Sequence, residues 1–153
     1  MAVRTIYFED LAENVEFWSE EFVVDEDEML EYSLRNDPWP FHTDTEAAKA
    51  APYGEIIASG GFIVTLMYRS AHSIYNNSNE AWAFLGGFEW QVKFHKPVKA
   101  GDKLRNKTTV SDKRQSSKPG RGLAKIRHEL INQDDQVVFT CEALVLLATR
   151  IAS

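Results

Sequence analysis

Ser59-Gly60-Gly61-Phe62-Ile63-Val64-Thr65-Leu66-Met67-Tyr68-Arg69-Ser70-Ala71-His72-Ser73-Ile74-Tyr75 is the stretch on which the fold turns. Phe62, Ile63, Leu66, Met67, Ser70, Ala71 and Ile74 recur at the spacing of one helix face. Ser59 stands where an N-cap belongs, and Gly60 and Gly61 open the helix. The segment is more apolar than any other that reads as a helix, so it should be largely buried. The rest of the chain must supply what buries it.

Downstream, the period changes to two. Phe88, Trp90, Val92 and Phe94 alternate with Glu89, Gln91, Lys93 and His95, which predicts a strand buried on one face. Pro97 and Gly101 mark a turn. Asp102–Arg114 reads as a second strand and Gln115–Gly122 as a loop. Leu123–Asn132 reads as a third strand and Asp134-Asp135-Gln136 as a hairpin turn. Val137–Thr149 is nearly all apolar and should be a central strand. Upstream lie a short strand or turn near Tyr7–Leu11 and a strand near Glu16–Val24. A helix over Glu26–Arg35 follows, with Asp25 and Glu28 in capping-box positions. Asn36–His42 cannot be regular helix, because Pro38 and Pro40 remove donors and extend the residues before them. Thr43–Ala51 is an Ala-rich short helix that Pro52-Tyr53-Gly54 ends. A long apolar helix followed by a four-stranded meander makes an α+β fold, an antiparallel sheet wrapped around one helix.

Composition narrows the class. The chain has 153 residues, 44% hydrophobic and 26% charged, which suits one globular domain over 1–153. Its formal charge of −6 repels phosphate backbones, so nucleic acid is not an expected partner. Cys141 is the single cysteine; it can form no internal disulfide, and mid-strand it should be buried and inert. Four histidines lack HxH or HExxH spacing, so no metal is expected. No GxGxxG or Walker pattern indicates a nucleotide cofactor. The N-terminus carries no apolar signal core, and Ala143–Ala148 is far short of the roughly 20 residues a membrane helix needs. A cytoplasmic location and no membrane contact are the expectation.

Two places carry chemistry. Asp37 and His42 lie five residues apart in a proline-stiffened loop, so a carboxylate and an imidazole can share one cleft, polarise one water and pass one proton. The same spacing also suits a turn aspartate beside a surface histidine. At Ser59-Gly60-Gly61, free N–H groups at a helix start can hold a developing oxyanion, and glycine lets a carbonyl approach the backbone; ordinary capping is the alternative. Together the two places supply what thioester enolate chemistry needs.

Asp37-x-x-Pro40-x-His42-x-Asp44, then Gly60 in Ile56-Ile57-Ala58-Ser59-Gly60, resembles the MaoC-like dehydratase and (R)-specific enoyl-CoA hydratase family. Phe88-Glu89-Trp90, Phe94-His95-Lys96-Pro97-Val98, Gly101-Asp102 and Pro119-Gly120-Arg121-Gly122 extend the match, which runs from Tyr7 to Val145. The resemblance implies the hot-dog fold, with Phe62–Tyr75 as its central helix. It implies that Asp37 and His42 activate the water that adds across a trans-2-enoyl-CoA thioester, with the Gly60 N–H facing the thioester oxygen. It implies no cofactor beyond the CoA of the substrate, and a homodimer or larger oligomer with sites near the interface.

Three positions depart from the family pattern. Trp39 stands where the family usually has Asn, Ser59 where it often has His, and Tyr68 where it often has Ser two turns into the helix. Trp39 could narrow the site or stack on substrate. Ser59 and Gly61 join Gly60 as candidates for holding substrate. In the locally basic stretch Lys113, Arg114, Lys118 and Arg121, the last two are candidates for the CoA phosphates; a solvated loop is the alternative. His95 should be exposed on the polar face of its strand. His72 sits off the main apolar stripe of its helix, and His128 should be packed or at an interface. The alternatives to a hydro-lyase are a hot-dog thioesterase and a non-catalytic acyl-CoA-binding subunit.

Overall fold

The structure, a computed structural model, describes residues 2–150; the ends of the expected 1–153 domain lie outside the described residues. Strand β1 (Arg4–Ile6) and a 3-10 turn (Phe8–Asp10) lead into β2 (Glu16–Trp18) and β3 (Phe22–Val23). Three helices follow: α1 (Glu26–Asn36), the single turn α2 (Pro40–Thr43) and α3 (Thr45–Ala50). Then come α4 (Gly60–Tyr75), β4 (Glu80–Trp82), β5 (Phe84–Phe94), β6 (Lys103–Gln115), β7 (Arg121–Ile131) and β8 (Val137–Ala148).

The main sheet is antiparallel in the order β2-β6-β7-β8-β5, with β3 also pairing β6. Helix α4 buries Phe62, Ile63, Leu66, Met67, Ser70, Ala71 and Ile74, the stripe read from the sequence. Alternate residues of the sheet meet it: Leu104 and Val110 on β6, Ala124, Ile126 and Leu130 on β7, Phe139 and Leu147 on β8. The expected sheet wrapped around one helix is therefore present. The apolar β8 is interior, between β7 and β5, while β7 holds the middle of the sheet.

Several local expectations change. The strand over Glu16–Val24 is two short strands, because the ladder is only half kept at Ser19: its N–H still donates to the Asn106 carbonyl, but the Asn106 N–H is taken by Ser19 Oγ instead of the backbone carbonyl. The three-residue β1 pairs in parallel with β4, a union too short to leave a period in the sequence. Asp25 caps α1 through the Glu28 N–H at 2.9 Å. The Glu28 carboxylate does not close a capping box; it accepts from Arg69 of α4 at 2.8 Å and ties the two helices. The Asn36–His42 stretch contains the start of a helical turn after all, because Pro40 sits at the first helical position, where its missing N–H costs nothing.

The largest correction concerns β5. Trp90, Val92 and Phe94 lie opposite Ala143, Cys141 and Phe139, as the alternation requires. That face is nevertheless open, with Trp90 44% and Phe94 52% exposed. The reason is position: β5 is an edge strand, and its flank beside α4 is left uncovered.

Candidate active site

Asp37 ends α1, its N–H bonded to the Ser33 carbonyl at 2.9 Å. The chain then folds back on itself: the Trp39 N–H reaches the Asp37 carbonyl, and the His42 N–H reaches the Trp39 carbonyl. This double turn points His42 at Asp37. His42 Nε2 lies 3.5 Å from Asp37 Oδ2, with the imidazole buried and the carboxylate about one-third exposed at 35%. At that separation a direct hydrogen bond, which would need a proton on Nε2, is at its limit. A water molecule could serve both groups.

The other imidazole nitrogen is tied. His42 Nδ1 lies 2.7 Å from the Ile57 carbonyl oxygen. A carbonyl only accepts, so Nδ1 carries the proton and the lone pair of the neutral ring is on Nε2, toward Asp37. Two residues on, Ser59 Oγ donates to Asp37 Oδ2 at 2.8 Å. Ser59 occupies the N-cap position but makes no side-chain cap, contrary to the expectation from its place in the sequence. The Ala58 N–H donates to the Val98 carbonyl at 2.7 Å, anchoring this segment to the chain that leaves β5.

Gly60 and Gly61 begin α4. Their N–H groups lie in the first turn, before intrahelical acceptors exist, and no acceptor faces them among the described residues. Phe94 packs against Gly60, where a Cβ would stand 3.0 Å from the ring. The Tyr32 hydroxyl occupies the place a Cβ would need at Gly61, so a side chain there would have to displace Tyr32. A cleft of about 330 Å³ opens here, walled by His42, Ile57, Gly60, Phe94, His95 and Lys96 among others. The imidazole and the unpaired helix start wall this cleft; the Asp37 carboxylate is not one of its walls and joins them through His42 and Ser59. Together these groups can polarise a water and receive a developing negative charge nearby.

The other candidates fall elsewhere. Trp39 is exposed, stacked parallel to Phe41, and does not wall the cleft. Lys118 and Arg121 lie at the opposite end of the sheet. The cleft adjoins Val138, whose carbonyl accepts from the His95 N–H, whereas Arg121 pairs with Ala148. Eleven residues of β7 at roughly 3.3 Å each separate those ends by about 30 Å. Within one chain these two basic residues do not reach the site; Lys96 does. His95 is exposed and bonded to Thr140 Oγ1, His128 is packed, and Cys141 is buried, its thiol pushed up to about 11 chiefly by burial. Among the described residues no cluster of three or more His, Cys, Asp or Glu is arranged to hold a metal. The Ile57 carbonyl was invisible from residue types, since every residue has one. Phe94 and Lys96 were quoted in the sequence motif but carried no role there.

With this geometry in view, comparison with known proteins is decisive at the level of family. Residues 10–130 match the model of the MaoC like domain. The chain belongs to the MaoC-like family. A MaoC-like dehydratase from Rhodospirillum rubrum superposes with a TM-score of 0.85 at 27% identity, over 95% of this chain and 99% of that one. The R-hydratase PhaJ1 from Pseudomonas aeruginosa, unliganded, superposes with a TM-score of 0.75 at 20% identity, over 97% and 89%. The UPF0336 protein of Saccharopolyspora erythraea is 30% identical over 109 residues, 70% of this chain and 69% of that one. The architecture is the hot-dog fold, as its relatives show. No helix among the described residues is long and apolar enough to cross a membrane.

Proposed function

We propose that this MaoC-like protein is a hydro-lyase that adds water to a trans-2-enoyl-CoA thioester, or removes it from the 3-hydroxyacyl-CoA. The observation that carries the reading is the facing pair, Asp37 Oδ2 and His42 Nε2 at 3.5 Å, beside the unpaired N–H of Gly60. In the hydration direction the pair binds one water. A proton leaves the water for the pair as its oxygen bonds to C3. The C2–C3 π electrons move toward the thioester carbonyl, whose oxygen the Gly60 N–H meets. The pair returns a proton at C2. Atoms and charge balance without an oxidant, and the reaction so written calls for no metal or redox cofactor. CoA enters only as part of the substrate.

The protein acts as a cytoplasmic homodimer in this reading. Strand β5 offers an unpaired edge and a row of exposed apolar groups, Phe88, Trp90, Val92 and Phe94, on which a second copy would pair its own β5 antiparallel. Such a pairing swings the partner's Arg121 end of the sheet toward this chain's cleft. Lys118 and Arg121 would then meet the CoA phosphates across the interface, with Lys96 contributing from the same chain.

The test follows loss of enoyl-thioester ultraviolet absorbance with a panel of trans-2-enoyl-CoA esters, while a thiol reagent monitors free CoA. Absorbance is expected to fall without CoA release. Asp37→Asn is expected to slow it roughly 10²–10⁴-fold, the usual contribution of general acid–base catalysis. Release of CoA instead would make the protein a thioesterase. Binding of CoA esters with neither signal would make it a non-catalytic acyl-CoA subunit.

A further inference from the structure

Ser59 is a serine at the N-cap of the central helix that does not cap it. An N-cap hydroxyl ordinarily bonds an N–H of the first turn and stabilises the helix. Here that option is forgone. The hydroxyl turns away from the helix and donates its one proton to Asp37 Oδ2 at 2.8 Å. Ser59 is 2% exposed, so water does not compete strongly for that proton. Its backbone is held on both sides, by the Ala58 N–H to the Val98 carbonyl and by the Ser59 carbonyl accepting from the Ile63 N–H at 3.2 Å.

Oδ2 is also the oxygen that faces His42 Nε2. With Ser59 and His42 both directed at Oδ2, the carboxylate cannot rotate without breaking the bond to Ser59. Oδ1 is left with no partner among the described residues. Two residues earlier the Ile57 carbonyl holds His42 by its other nitrogen, and one residue later stands the Gly60 N–H. A single tetrapeptide therefore orients the imidazole, orients the carboxylate and presents the oxyanion donor.

Resting on the hydratase reading, we propose that Ser59 is a positioning residue for Asp37. It fixes the rotation of the carboxylate about its terminal bond, so that Oδ2 stays toward His42 and Oδ1 stays free to accept from the reacting water. Ser59 touches no reacting atom in this assignment. It is not a substrate-binding residue, although its position beside Gly60 suggested that from the sequence.

The experiment compares wild type with Ser59→Ala, Ser59→Cys and Asp37→Asn in the enoyl-CoA hydration assay, measuring kcat and KM separately and the thermal midpoint of each. Cysteine keeps the shape of the side chain, slightly enlarged, with only a weak donor, so it answers the question if the alanine variant fails to fold. Both Ser59 variants are expected to lose roughly 10–100-fold in kcat, by analogy with the loss when a group that orients a metal ligand is removed, with KM unchanged. Wild-type kcat in both Ser59 variants, beside an inactive Asp37→Asn, would overturn the assignment and leave the hydratase reading standing. A raised KM at unchanged kcat would also overturn it, by making Ser59 a binding group. Full activity in Asp37→Asn would overturn the hydratase reading and the assignment with it.

Discussion

At the scale of single residues, identity alone was informative where the chemistry is rare. A carboxylate and an imidazole around two prolines stand out, and Asp37 and His42 do come together. Roles that depend on direction were not legible. Ser59 reads as a cap but points at Asp37, and Gly61 reads as an oxyanion residue but also makes room for Tyr32. Gly122 is a clearer case of the second kind. A Cβ there would overlap the body of the buried Phe8 ring rather than the far end of a flexible side chain. At Gly87 the nearest atom to a Cβ is the Leu144 carbonyl oxygen at an ordinary 3.9 Å. Gly122→Ala is therefore expected to cost about 1–3 kcal/mol, the range for overpacking a core, and Gly87→Ala much less. Urea unfolding of the two variants measures this: the midpoint should fall for Gly122→Ala with the slope unchanged. Equal midpoints would show that Phe8 yields.

At the scale of elements, periodicity was the reliable guide. The stripe on α4 and the alternation on β5 to β8 follow from backbone geometry, which repeats every 3.6 or 2 residues whatever lies nearby. Periodicity says which residues share a face; it does not say what covers that face. For β5 the uncovered face and open edge make a surface that isolated soluble proteins avoid, since an apolar edge invites pairing. Lysine is a residue natural sheets use to blunt such edges. Wild-type protein is expected to sediment as a dimer, and the double variant Phe88→Lys/Val92→Lys as a monomer, in analytical ultracentrifugation. A monomeric wild type at assay concentration would remove the dimer from the functional reading.

At the scale of the whole molecule, a polar chain runs through the core between helix and sheet. Tyr75 Oη donates to His128 Nε2 at 2.6 Å, and His128 Nδ1 donates to Thr108 Oγ1 at 2.9 Å. Thr108 donates to Asn106 Oδ1, Asn106 Nδ2 to Ser70 Oγ, and Ser70 to the Leu66 carbonyl. In this order, assigned from the partners present, each proton along the chain has an acceptor while His128 is neutral. A second proton on His128 would make the Tyr75 hydroxyl an acceptor and leave that hydroxyl's own proton without this partner. Burial lowers the His128 pKa to about 4, whereas the unfolded residue titrates near 6.5. Between those values the unfolded chain holds the proton and the folded one does not, so stability rises with pH. The contribution is complete above about pH 6.5 and is lost as pH falls toward 4, by about 3 kcal/mol. Chemical denaturation at several pH values should show this slope in wild type. In His128→Gln the slope over that window should be shallower; identical slopes would place the acid sensitivity elsewhere.

The sequence by itself determined the long helix and the four long strands after it, the buried stripe of that helix, the inner faces of β6 to β8 and the two residues that meet at the site. Those are local properties, written in residue type and spacing. Only the tertiary structure decided that β5 lies at an edge, that Lys118 and Arg121 stand a sheet's length from the cleft, and that Ser59 turns from the helix to Asp37. Strand order, distance across a sheet and the choice of a hydroxyl's partner depend on residues far apart in the chain. No local pattern encodes them, because their energies exist only once the distant groups have met.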